Sequence, residues 1–334
     1  MTTTVPATVE RQPWHLVDPS YLQLILLVTE QCNFRCTYCY ETFANLGMRE
    51  PVILGVSRLL ERRGSSGLRN LEVSWFGGEP LLEYGTVLRV SSLAQSIAVE
   101  NGINYRGDMT TNASLLSTLR LRELVDAGCR RFQVTLDGAP QTHDLFRVTK
   151  SGHGTSRRLI ANVRDALASD IAFELLLRIH VHPGTAQHLD SLIALLKEFN
   201  ADRRVTLLLR PISNLGGPNE DAIRAPSDAQ FREVQRLLHD ALDGQGNPTI
   251  NPFDEDSPHA MTCYAARANS FVIRSDGRVG KCTVALDDER NTVGQLREDG
   301  TMMLDANRVR PWIRGITSGD LEEMNCPLIG LPRP

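Results

Sequence analysis

LQLILLVTEQCNFRCTYCY, residues 22–40, joins an apolar run to three closely spaced cysteines, and its reading decides the fold. Leu22 to Val28 has the length and composition of a buried strand in a parallel sheet. Cys32, Cys36 and Cys39 follow in a loop of eight residues. At about 3.5 Å per extended residue, such a loop wraps three thiolates around one face of a cubane about 4 Å across. The segment therefore reads as a strand followed by a loop that holds an iron–sulfur cluster. Three thiolates leave one of four irons without a protein ligand, and a cofactor can chelate that iron. A zinc knuckle normally closes with four ligands, and the loop offers neither a His nor a fourth Cys.

A second segment, WFGGEPLL at residues 75–82, follows another apolar strand. Two glycines let the backbone approach a ligand closely, and a carboxylate beside them can accept bonds from an ammonium. CNFRCTYCY with this GGEP segment resembles the radical SAM superfamily, in which an aromatic residue precedes the last cysteine, as Tyr38 does. The resemblance implies that Gly77, Gly78, Glu79 and Pro80 contact the methionyl amino group of S-adenosylmethionine (SAM). Thr110-Thr111-Asn112 ends a third strand, and Val134-Thr135-Leu136-Asp137-Gly138 ends a fourth, followed by His143, Asp144 and Arg147. Related peptide-modifying members carry a similar pattern, which implies Thr135 and Arg147 as contacts of the SAM carboxylate. His143 is expected to be structural. His180 and His182 share the parity of one strand face and are given no role.

The chain alternates strand and helix, the signature of βαβ units. Strands are expected at Leu22–Val28, Leu71–Phe76, Ile103–Thr110, Arg131–Leu136, Phe173–Val181 and Val205–Leu209. Helices are expected at Pro51–Arg63, Ser117–Ala127, Thr155–Ser169, Thr185–Phe199 and Ser227–Leu242, the first opened by proline and closed by Gly64. The expected fold is α/β: a partial (βα)6 TIM-like barrel, then a small cluster-binding C-terminal domain with a β-hairpin. The segments expected are a tail at 1–20, a barrel at 21–225, a bridging helix and linker at 226–262, and the C-terminal domain at 263–334. In such barrels the site lies on loops after the carboxyl ends of strands.

The C-terminal part begins with Cys263, then a hairpin expected at Phe271–Val284, turning at Ser275-Asp276-Gly277 with Cys282 on the return strand. Cys263, Gly277 and Cys282 fit Cx13Gx4C, similar to the start of SPASM and twitch domains, which bind auxiliary 4Fe-4S clusters. A full SPASM domain would add further cysteines, and only Cys326 follows here. One auxiliary cluster on Cys263, Cys282 and Cys326 is the preferred reading, its fourth ligand being Glu323, another residue, water or substrate. An empty, degenerate domain and a chain cut short are the alternatives. Cys129 precedes a strand and is expected at the opposite face of the barrel.

The 334 residues carry 36 Lys and Arg against 40 Asp and Glu, a formal net charge of −4. That balance provides no general attraction to nucleic acid or anionic membranes. No apolar run approaches the roughly 20 residues that span a bilayer, and Met1 to Ser20 lacks the core of a signal peptide. Seven cysteines do not make a secreted disulfide framework. A reducing cytoplasm is the expected location.

The resemblance implies reductive cleavage of SAM to a 5'-deoxyadenosyl radical, with a low-potential donor such as flavodoxin or ferredoxin. The motif set most resembles maturases of ribosomally made precursor peptides, and side-chain crosslinking is the leading expectation. The alternatives are a dehydrogenase of the sulfatase-maturing or small-molecule type and, in another class, a non-catalytic cluster or zinc protein. About twenty residues precede the first strand, too few for a leader-binding winged helix. Leader recognition is thus expected on the barrel, the C-terminal domain or a separate protein.

Overall fold

The structure is a computed structural model that describes residues 16–219, 221, 223–242, 249–250 and 262–332. Its sheet begins with β1 (Tyr21–Leu27), β2 (Asn70–Phe76), β3 (Asn104–Thr111), β4 (Cys129–Leu136), β5 (Glu174–Val181) and β6 (Val205–Pro211), paired parallel in chain order. Between them run α1 (Glu50–Gly64), α2 (Tyr84–Asn101), α3 (Thr118–Asp126) and, after β4, α4 (Pro140–Phe146) and α5 (Ser156–Leu167). The helix α6 (Leu189–Asn200) joins β5 to β6, and α7 (Asp228–Leu242) follows. The six strands and five helices of the sequence reading are all present, with ends moved by a few residues. The helix read from Thr185 opens as a 3-10 turn, Thr185–His188, before α6. Neither α2 nor the short α4, which carries His143 and Asp144, has a counterpart in the sequence reading.

Strand parity explains the layers. On β5, Leu175, Leu177, Ile179 and Val181 are buried against the helices, while Leu176, Arg178 and His180 face the concave side. Polar side chains on that side are bonded from strand to strand. Ser74 Oγ donates to Asp108, Gln133 Nε2 to Thr110, and Arg178 to Thr135. The concave side is therefore partly polar, as a ligand-holding lumen requires.

The C-terminal strands extend this sheet. β7 (Thr249–Ile250) pairs parallel with β6, and β8 (Ser270–Ile273) pairs parallel with the outer side of β1. β9 (Arg278–Gly280), β10 (Gly294–Leu296) and β11 (Met302–Leu304) continue antiparallel from β8. Three short helices follow: α8 (Ala306–Val309), α9 (Arg314–Ser318) and α10 (Leu321–Asn325). The expected hairpin is β8–β9, and Gly277 takes φ +84° at its turn, a conformation that favours glycine. Its strands are shorter than read, and Cys282 lies two residues past β9 instead of on it, with its backbone N–H donated to Asn291. Ile25 and Leu27 of β1 pack with Val272 and Leu286 in a small apolar cluster, so C-terminal residues close one side of the lumen. The linker read at Asp243–Ala260 lies almost wholly outside the described residues, as do residues 1–15 of the tail.

Candidate active site

The cysteine loop leaves the carboxyl end of β1 and is pinned at several points. Gln31 Nε2 donates to the carbonyls of Phe43 and Asn45, Arg35 N to Val148 O, and Thr37 N to Phe146 O. At its base, Glu30 is buried and receives a two-pronged bond from buried Arg274, at 2.8 and 2.7 Å. Arg274 directly follows β8, so this ion pair ties the cysteine loop to the C-terminal strands.

Cys32, Cys36 and Cys39 line one cavity of about 270 Å³ at the carboxyl ends of the strands. None is in a disulfide. Burial pushes the Cys32 and Cys39 thiols up to about 12 and also raises Cys36. Thiols that hold their protons this firmly become thiolates when a metal centre takes the protons' place. Among the described residues no three His, Cys, Asp or Glu side chains close on a single metal ion. Three thiols sharing a cavity wall suit the larger body of a cluster.

The glycine pair packs against the base of that loop. A side chain on Gly78 would bring its Cβ to 2.1 Å from the Gln31 carbonyl, and φ there is +45°. Gly78 N donates to Glu41, and Glu79 N to Gln31 O. Gly77 and Gly78 line the cavity, whereas the Glu79 carboxylate turns inward. It accepts bonds from Leu81 N, Asn112 N and the Thr111 hydroxyl. Glu79 thus fixes the β3 end beside the glycines, and Pro80 opens the 3-10 turn behind them.

Thr135 and Arg147 reach the cavity from β4 and from the residue after α4. Arg147 is 9% exposed, donates to the Tyr38 hydroxyl at 2.8 Å, and keeps Nε without a partner. The Thr135 hydroxyl accepts from Arg178 Nε and Nη2 at 3.1 and 3.0 Å, which leaves its own proton to donate. Burial lowers the Arg178 pKa and the Arg147 charge lowers it further, outweighing the upward pull of Tyr38, Tyr40 and Asp137. The sequence reading missed Arg178, although it shares the face of His180 two residues earlier. It also passed over Glu41, which follows the cysteine motif and lines the cavity; burial raises its carboxyl to about 7.

Asp137 is fully buried beyond the end of β4. His180 Nδ1 lies 3.2 Å from one of its oxygens and His182 Nε2 3.5 Å from the other. Neither contact makes a full hydrogen bond, so the carboxylate is held by two imidazole edges. Burial works against its charge, but His180, His182 and Arg147 outweigh it and hold the Asp137 carboxyl well below the usual range. His143 accepts from Asp137 N and contacts the Thr155 hydroxyl, and burial takes it down to about 4. It is a structural histidine.

Cys263, Cys282 and Cys326 lie in the C-terminal part. Cys263 N donates to Met324 O, which brings Cys263 to the segment holding Cys326. Burial, with smaller contributions from the neighbouring Cys282 and Cys326, raises the Cys263 thiol to about 11, and burial with a contribution from Cys326 raises Cys282. The three are therefore within electrostatic reach of one another. Thr283 and Val284, next to Cys282, line the main cavity. Glu323 is engaged by Arg314 at 2.8 Å and Ser318 at 2.7 Å, away from a ligand's role. Cys129 is the buried first residue of β4, at the end remote from the cavity.

A lumen closed by a cysteine loop at the strand ends defines a class, and comparison with known proteins supplies it. Residues 26–196 match the model of the radical SAM superfamily, and the chain belongs to that superfamily. Its members use a 4Fe-4S cluster and SAM. The GTP 3',8-cyclase of Rhizobium meliloti (strain 1021) is 34% identical over 166 residues, 48% of this chain and 45% of that protein. The chain thus spans just under half the length of this relative. The cysteine-type anaerobic sulfatase-maturating enzyme of Clostridium novyi (strain NT) is 21% identical over 332 residues, 92% of this chain and 85% of that one. In fold, the chain is similar to anSMEcpe solved with AdoMet and the Cp18Cys peptide, with a TM-score of 0.66, 19% identity and 93% and 87% of the two chains covered. It is also similar to Streptococcus suis SuiB bound to precursor peptide SuiA, with a TM-score of 0.56, 15% identity and 96% and 73% covered. Among the described residues no helix is long and apolar enough to cross a membrane.

Proposed function

We propose that this chain is a radical SAM enzyme that oxidises a ribosomally made precursor peptide, joining side chains by a carbon–carbon or carbon–heteroatom bond. The observation that carries the reading is the shared cavity. The cysteine loop, the glycine pair, Thr135, Arg147 and, from the C-terminal part, Thr283 and Val284 all line it. In this superfamily the bound cluster and SAM supply a 5'-deoxyadenosyl radical, which removes hydrogen from an unactivated carbon.

The chain's own part is to bind, orient and shield. Cys32, Cys36 and Cys39 hold the cluster. Arg147, propped by Tyr38, and Thr135, backed by Arg178, receive the methionyl carboxylate, and the backbone at Gly77 and Gly78 faces the methionyl ammonium. Glu79 and Pro80 hold that backbone in place. Cys263, Cys282 and Cys326 hold one auxiliary 4Fe-4S cluster in a SPASM- or twitch-like domain at 263–334, attached to a barrel at 21–225. A flavodoxin or ferredoxin delivers electrons in a reducing cytoplasm, and the leader is recognised by the barrel, the C-terminal part or a separate protein. Two fold neighbours solved with peptides support a peptide substrate.

The second reading is a dehydrogenase of the sulfatase-maturing type, favoured by the match to that enzyme along 92% of the chain. Anoxic reconstitution with SAM and a reductant tests both. The wild type is expected to release 5'-deoxyadenosine, and a variant with Cys32, Cys36 and Cys39 all changed to Ala is expected to release none. Peptides containing Cys, Ser, Lys or aromatic residues are then screened for loss of two hydrogen atoms. Fragmentation distinguishes a crosslink from an oxidised single residue. Equal 5'-deoxyadenosine release by the triple variant would overturn the assignment.

A further inference from the structure

We propose that His180, oriented by Asp137, is the proton acceptor of the oxidation carried out in this cavity. The inference rests on the functional reading above and assigns a group that the reading leaves open. His180 is the histidine that lines the cavity. Its Nδ1 is buried 3.2 Å from Asp137, whereas among the described residues Nε2 makes no hydrogen bond. Short of full hydrogen-bond geometry, the carboxylate acts through its charge: at 3.2 Å it favours a proton on the nearer ring nitrogen, leaves the other nitrogen its lone pair, and stabilises the imidazolium once a proton arrives. Asp137 is thus a positioning residue.

The surroundings favour the neutral ring. Burial lowers the His180 pKa, and Arg178 and Arg147 lower it further, while Asp137 partly restores it. Tyr38 meets the ring edge-on at 5.5 Å between centroids. Arg210 is opposite His180 in the β5–β6 register. His182 is unsuited to the role, being 3% exposed and stacked on Phe146 at 3.9 Å. Glu41 also lines the cavity and is the rival acceptor: burial raises its carboxyl to about 7, but one of its oxygens is already engaged by the Gly78 N–H, and Glu41→Gln is therefore the control.

The balance of the reaction calls for such a group. A substrate carbon gives one hydrogen atom to the 5'-deoxyadenosyl radical, and the C–H bond is replaced by the C–H bond of 5'-deoxyadenosine. Forming the new bond from the remaining substrate radical releases one proton and one electron. The proton goes to His180 Nε2. The electron would need an iron–sulfur cluster as its acceptor, the auxiliary one that Cys263, Cys282 and Cys326 would hold.

Two measurements test the assignment. In the protein without cluster, long-range ¹H–¹⁵N NMR of the histidines is expected to show His180 at pH 7 as the neutral Nδ1–H tautomer. Asp137→Asn is expected to lower its pKa and loosen that preference. A doubly protonated ring or the Nε2–H tautomer would overturn the proposal. In the reconstituted enzyme, the probe is the peptide that loses two hydrogens in the screen above. His180→Gln is expected to oxidise at least roughly a hundredfold less peptide per 5'-deoxyadenosine released than the wild type. Imidazole is expected to restore oxidation to His180→Gly. Oxidation at the wild-type rate by His180→Gln, or its loss in Glu41→Gln alone, would refute the role of His180. A wild type that releases no 5'-deoxyadenosine would refute the functional reading instead, with the tautomer still deciding the assignment of the ring.

Discussion

Arg274→Met tests how the cysteine loop is held. In the native chain both partners of the Glu30–Arg274 pair are nearly excluded from water, with side chains 3% and 5% exposed. Arg274 gives Glu30 two bonds and gives a third to the Leu286 carbonyl, and Asn45 gives Glu30 another at 2.8 Å. Methionine fills much of the arginine's volume but leaves a carboxylate buried with one neutral donor. Breaking a buried pair from one side costs about 3–5 kcal/mol. Unfolding entropy near 2.1 cal/mol/K per residue gives roughly 0.7 kcal/mol/K for 334 residues. The melting temperature should therefore fall by about 4–7 °C, read by differential scanning calorimetry on protein without cluster. Glu30→Met with Arg274→Met removes the stranded charge and should recover most of the loss, to within about 1–2 kcal/mol of wild type. Because Glu30 lies two residues before Cys32, the single variant should also retain less iron after reconstitution. A loss below about 1 kcal/mol, or a double variant as unstable as the single one, would refute this account of the loop.

Arg147→Ala removes a charge-assisted bond worth about 1.5–3 kcal/mol, so SAM affinity by equilibrium dialysis should fall roughly ten- to hundredfold. Removal of Cys263 and Cys282 together should halve reconstituted iron from about eight atoms to about four, and leave 5'-deoxyadenosine release without peptide oxidation. Asp108→Asn gives a pH-dependent gain. Burial raises the Asp108 carboxyl from 3.8 to about 6, so the folded chain holds a proton that the unfolded chain has lost as pH rises between those values. Wild-type stability therefore falls through that window, and the variant should be the more stable by about 1–3 kcal/mol at pH 7 to 8 in urea titrations. The gain should vanish below about pH 4, and a variant less stable at pH 8 than wild type would contradict the assignment.

The six barrel strands were legible because each is a short apolar or alternating run beside a turn signal, and burial on the parallel sheet demands that pattern. The cysteine loop was legible because thiols at that spacing have few other uses. Long-range pairing was not. Nothing local in Ser270–Ile273 says that it lies parallel to β1, a register in which the Ser270 hydroxyl donates to Gln23. The partnership of Glu30 with Arg274 joins residues 244 positions apart and leaves no periodic trace. The Glu79 carboxylate was read as a ligand for an ammonium, and its inward turn depends on donors from Thr111 and Asn112 that only the folded sheet brings to it. Arg178 was hidden for a related reason: an arginine in a strand reads as a solvated edge until the strand's other face is known to border a lumen.

The parallel seam between β8 and β1 has a consequence for how the two cysteine groups work together. A C-terminal module on a flexible tether would leave its thiols at variable distances from the barrel. Here β8 continues the sheet on which the first cysteine loop is mounted, and the Glu30–Arg274 pair fixes the loop to the residue following that strand. Val272 and Leu286 pack against Ile25 and Leu27, so moving the C-terminal strands would expose apolar surface as well as break backbone bonds. Thr283 and Val284 reach the cavity from beside Cys282. The fold thus brings the first cysteine loop and the residues that follow Cys282 to one cavity through a continuous sheet, the arrangement needed if a hydrogen atom, a proton and an electron are to leave one substrate by separate routes.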